Sequence, residues 1–261
     1  MATNAVALTP QRIGLAYYAR LFSKETKYEF VRMLRTRAFS LSVVGFPVMF
    51  FLLFGVSNRS TGYGQYLVPS YSCMGVVSAC LFGIGMAMAL ERSQGWLDVK
   101  QASPMPRLAY IGAKVMSCAG FALAIVAALV DLGVTVGGAH ITLLQAAQLA
   151  GVILAGSVPF TAMALLVALL VPANSGPGII NLIYLPMSFA SGFWMPIKYL
   201  PHFFLRIAPA LPTYHLAQLA LGIFGMAQPG SMLSHWEALA GFTLLMLGAA
   251  WIVFTRSEAK A

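Results

Sequence analysis

Long apolar runs interrupted by one charged stretch constrain this chain more than any other feature. The interruption is Glu91-Arg92-Ser93-Gln94-Gly95-Trp96-Leu97-Asp98, closing at Ser103-Pro104. On either side the sequence is apolar enough to sit in lipid, so the charged stretch must face water. Hydrophobic residues make up 59% of the chain and charged residues 9%, against about 25% charged in a soluble globular domain. A 261-residue soluble chain could bury a sizeable core, but not this much apolar surface. The class is integral membrane.

The formal net charge of +9 could suggest nucleic acid. The placement of the cations excludes that partner. Arg12, Arg20, Lys24, Lys27, Arg32, Arg35 and Arg37 all precede the first apolar run. This is the pattern of a cytoplasmic flank attracted to anionic headgroups. Cys73, Cys80 and Cys118 all lie in apolar runs without a CxxC pair, so they read as small buried hydrophobes. The first apolar run begins near Phe39, too late for a secretory signal, and it is long enough to span.

Thr9-Pro10 suits a helix start. From there to Arg37, apolar Leu15, Tyr18, Phe22, Phe30 and Met33 recur at helical spacing among cations. The pattern predicts an amphipathic helix in the headgroup plane. Six spans are expected at 39–57, 67–90, 108–137, 143–171, 178–194 and 237–255. Pro47 should kink the first span. Gly75, Ser78, Ala79, Gly83, Gly85, Ala87 and Ala89 should let neighbours approach the second closely. Lys114 blurs the start of the third span, and the Pro172–Pro177 stretch ends the fourth.

Between the fifth and sixth spans, Trp194 to Gln228 holds Pro196, Pro201, Pro209 and Pro212 with Lys198 and Arg206. It reads as short broken helices dipping into the outer face. Two further spans are the alternative. Residues 1–38 form a cytoplasmic region, 39–255 a single transmembrane domain and 256–261 a cytoplasmic tail. With that topology thirteen Lys and Arg lie inside and three (Arg59, Lys198, Arg206) outside. Both termini and the Glu91–Pro104 stretch are then cytoplasmic, in the cell membrane.

Little in the chain suggests chemistry. It has no Gly-Lys pair for a phosphate loop, no HExxH and no GxSxG. Asp131 alone among the acids lies well inside a span, so an ion-coupled transporter or channel is the rival reading. His202, His215 and His235 could bind metal, but spacings of 13 and 20 residues match no helical ligand pair. Aromatics crowd the outer region, among them Phe193, Trp194 and Tyr214. They read as an interfacial belt, or as an exit surface for an amphipathic molecule. Residues 91–102 have the composition of a helix lying beneath the membrane, with Trp96 as its one large aromatic.

Two segments together resemble the ABC-2 type transporter permease family. The first is Glu91-Arg92, Gly95, Leu97-Asp98 and Ser103-Pro104; it departs from the family pattern at Ser93, usually an acid, and at Trp96, usually Thr. The second is Ser191-Gly192-Phe193-Trp194-Met195-Pro196, then Leu200-Pro201, then Pro209-Ala210-Leu211-Pro212-Thr213-Tyr214. The resemblance covers essentially the whole chain. It implies an all-α integral membrane protein whose six transmembrane helices follow an amphipathic interfacial helix, with a partly re-entrant outer segment between spans five and six. It implies no catalysis and no cofactor in this chain, with ATP and Mg held by a separate ATPase subunit. Two permease copies, identical or related, would pair in the membrane and export a substrate. In this family Glu91–Pro104 would be the coupling helix on the ATPase. Arg20, Lys24, Lys27, Arg32 and Arg35 would lie on the connecting helix beside it. Phe193, Trp194, Pro196, Pro201, Pro209, Pro212 and Tyr214 would shape the outer gate.

Overall fold

The structure, a computed structural model, describes residues 15–96 and 107–258. Helix α1 is Leu15–Arg35. It stops at Thr36, whose ψ of 88° leaves the helical region. Helix α2, Arg37–Val56, then crosses to the far end of the bundle. Helix α3, Gly64–Ser93, returns. Helices α4, Arg107–Thr135, and α5, Leu143–Leu170, run up and back. Helix α6, Gly176–Ala190, runs up again. Two short helices follow at the far end, α7, His202–Ile207, and α8, Pro212–Gly222, before α9, Met232–Glu258, descends. Every described element is helical.

Five of these helices, α2, α3, α4, α5 and α9, are long and apolar enough to cross a membrane. Their positions match five of the six expected spans. The remaining expected span is the 15-residue α6, which at about 22 Å falls short of the hydrocarbon thickness of about 30 Å. Between residues 194 and 228 no described helix exceeds the 11 residues of α8, so the alternative of two extra spans fails. The broken segment is there as expected, with single turns at Ile197–Tyr199 and Ala208–Ala210 beside α7 and α8.

Helix α3 is the axis of the bundle. It packs on α4, α5 and α8, and nearly every residue of Gly64–Cys80 is buried. Its small residues permit this: a Cβ on Gly75 would meet Ile125 of α4 at 2.8 Å. Across the bundle, a Cβ on Gly156 of α5 would meet Leu216 of α8 at 2.3 Å. Helix α2 is wound with wide, i→i+5 turns over Leu41–Gly45 and Phe51–Val56, on either side of Pro47. Such turns absorb the carbonyl that proline leaves unpaired.

Helix α1 runs alongside the first half of α4, with Phe22 against Gly112 and Phe30 against Gly120 and Phe121. The two glycines leave grooves that the rings fill, and burying the rings holds α1 to α4.

Candidate functional site: a buried ion cluster below an apolar cleft

Helix α3 has 30 residues and is about 45 Å long, some 15 Å more than the hydrocarbon core. Its last turns meet α1 and the first turns of α4. Five polar side chains meet there. Glu29 and Arg32 come from α1, Glu91 from α3, and Tyr110 and Lys114 from α4. Lys114 is fully buried and donates to Glu29 Oε1 at 2.6 Å and to Glu91 Oε1 at 2.9 Å. Arg32 donates to Glu29 Oε1 at 2.6 Å and to Glu91 Oε1, and the Tyr110 hydroxyl donates to Glu91 Oε2. Glu29 and Glu91 are each only 5% exposed.

Two acids and two cations leave no net charge, and each carboxylate accepts more than one hydrogen bond. Buried charges are tolerable only on those terms. Burial disfavours the charge on Arg32, but Glu29 and Glu91 outweigh it and hold the guanidinium above its ordinary value. The cluster therefore joins α1, α3 and α4 by charge at one point.

Arg92 turns the other way. Its guanidinium donates to the Leu169 carbonyl at 2.7 Å and to the Val171 carbonyl at 3.2 Å. A cation on the free carbonyls of a helix C-terminus is favourable there. Adjacent residues thus bind α3 to three other helices.

Helix α3 continues to Ser93, so Glu91 and Arg92 belong to it and not to a separate loop beneath the membrane. Both serve contacts within this chain. Gly95, with φ of +73°, makes the turn that ends the helix. Trp96 stands 55% exposed just past it. Leu97, Asp98, Ser103 and Pro104 lie outside the described residues. On α1, Arg20, Lys24, Lys27 and Arg35 are exposed, and only Arg32 joins the cluster.

Above the cluster a cleft of about 650 Å³ opens between α2, α3 and α6. Arg32 and Thr36 stand at its mouth, Phe46, Phe82 and Tyr184 line it, and Trp194 stands at its far end. Phe50 packs edge-on against Trp194 at 4.9 Å, and the indole N–H donates to Ser188 at 3.1 Å. The lining is mostly apolar, so it can receive an acyl chain or a flat apolar molecule.

At the far end, Phe193 and Pro212 are buried, Pro196 and Tyr214 half-buried, and Pro201 and Pro209 exposed. His215 and His235, far apart in sequence, touch through their Nδ1 atoms at 2.8 Å, with Tyr214 edge-on to both rings. The described residues hold no cluster of three or more metal-ligating side chains. Asp131 lies exposed in the last turns of α4.

The cluster was not legible from sequence. Its members are up to 85 residues apart. The available signal was Lys114, a cation inside an apolar run with no visible use.

Residues 20–224 match the family described as ABC-2 type transporter. The chain is also 24% identical over 217 residues to "Putative transport permease YvfS" of Bacillus subtilis (strain 168), an alignment covering 81% of this chain and 87% of that protein.

Proposed function

The chain belongs to the ABC-2 type transporter family, and on that premise we propose that it is the permease subunit of an ATP-driven exporter. It is a multi-pass membrane protein. Two permease copies form the pathway in the cell membrane. A separate ATPase subunit binds ATP and Mg and docks on the cytoplasmic side, where both termini of this chain lie. The turn after α3 is the docking point, and residues 91–104 transmit the movement. The cargo is an amphipathic molecule, drug-like or lipid-like, or a lipid-linked glycan.

The observation that carries this reading is the cluster of Glu29, Arg32, Glu91, Tyr110 and Lys114. A force applied just beyond it reaches three helices together. A conformational change needs contacts that differ between two states, and such a joint passes them on without loss. The apolar cleft lies next to the joint, with Arg32 in its lining and α3 as one of its walls.

The test uses Trp96→Ala, because Trp96 is exposed and outside the cluster. The variant and its ATPase partner are co-purified and reconstituted in liposomes. ATP-driven transport is expected to fall about tenfold or more, as when a central aromatic is lost from an interface, while the permease stays folded. Unchanged transport and unchanged ATPase binding would remove the docking assignment.

A further inference from the structure

A second pocket, of about 350 Å³, lies at the far end between the α2–α3 turn, the loop after α6, and α8. It differs from the apolar cleft in kind. Tyr63, Tyr66 and Tyr199 line it together with Lys198, Gln218 and Gln228. We propose that this pocket receives a sugar ring, the glycosyl headgroup of a lipid-linked cargo. The proposal rests on the exporter reading above, in which this end of the bundle faces outward.

The rings are fixed rather than merely interfacial. Tyr66 is buried, and its hydroxyl donates to the Gly192 carbonyl. Tyr63 stacks on it with the rings 5.7 Å apart and inclined by 13°. Gly192, with φ of +82°, turns the chain so that the next residues form the opposite wall. On that wall the Lys198 ammonium sits 5.1 Å from the Tyr199 ring centre. A belt tyrosine would project freely into headgroups. Tyr63 and Tyr66 instead make an ordered wall, with the exposed Tyr199 lining the same pocket.

The polar groups suit hydroxyls. Gln218 is 2% exposed, and its Oε1 accepts from the Gln228 N–H at 2.7 Å. That bond orients the amide, so that its NH₂ serves as the donor. The Gln228 side chain adds a second amide. Planar amides pair with vicinal hydroxyls, while the C–H face of a pyranose lies on an aromatic ring. A phosphate would call for a guanidinium fork or several cations. The pocket has neither; its lining includes one lysine and no carboxylate.

The experiment places the full-length chain in phosphatidylcholine nanodiscs, without nucleotide or ATPase, and records saturation-transfer NMR with maltose as the probe. Saturation is expected on the sugar ring protons. Tyr199→Ala, at an exposed position, should fold and weaken binding about tenfold, the scale of one lost stacking contact. Gln228→Ala should also weaken it. Dodecyl maltoside below its micellar concentration should displace maltose at lower concentration, because its chain lies in the bilayer.

No signal from maltose, or a signal unchanged in both variants, would overturn the proposal. So would glycerol 3-phosphate saturating in maltose's place, with the effect lost in Lys198→Gln. If dodecyl maltoside competes no better than maltose, the lipid-linked part falls. Loss of ATPase association would sink the exporter reading without touching the maltose signals, so the two failures are separable.

Discussion

Lys114 is the residue on which the ion cluster depends. It is fully buried and serves two carboxylates at once. Lys114→Met would leave Glu29 and Glu91 buried with Arg32 as their shared cation and the Tyr110 hydroxyl on Glu91. Breaking a buried ion pair from one side costs about 3–5 kcal/mol, so the variant should unfold at a clearly lower temperature. Adding Glu91→Gln restores one acid to one cation, and the double variant should recover part of the loss. Thermal unfolding followed by size exclusion checks both. A Lys114→Met protein as stable as the parent would contradict the charge balance described here. The same reasoning makes Glu91 a poor probe of docking, since Glu91→Arg would put three cations around Glu29 and damage the fold first.

At the scale of elements, α8 is held to α9 partly by two imidazoles. His215 Nε2 lies 2.9 Å from the Pro209 carbonyl, which can only accept, so that nitrogen carries the proton. His215 Nδ1 is then the acceptor, and His235 Nδ1–H donates to it. His215→Ala removes both contacts at once and should lower the unfolding temperature, at a cost of about 1–3 kcal/mol for the two hydrogen bonds. A variant as stable as the parent would show that the imidazoles do not hold α8 to α9. Spacing in sequence could not reveal this pair. The two rings are 20 positions apart, with a full reversal of direction after α8 between them.

For the whole molecule, the exposed apolar faces require a partner or lipid. Only 22% of the apolar window of α2 is buried, and 6% of that of α9. Leu182 on α6 is 75% exposed. If two copies pair along α6, Leu182→Cys should yield a disulfide-linked dimer under mild oxidation in membranes. The three native thiols are all buried, so the new one reacts alone. A product that stays monomeric would move the pairing surface to another helix. The long spans were legible because lipid demands unbroken apolar runs, and that demand is written locally. The broken far-end segment was legible from its prolines. The path of α1 along α4 was not, because Gly112 and Gly120 declare a groove only once a ring from another helix fills it. The meeting of Glu29 with Lys114 likewise depends on that path.

Glu91 and Arg92 are neighbours that pull on opposite sides of one helix end. One grips α1 and α4; the other grips the tail of α5. A helix end gripped from both sides cannot swivel or bend separately from its surroundings. On the docking proposed above, torque delivered at Trp96 would have no slack to take up before four helices turned with it.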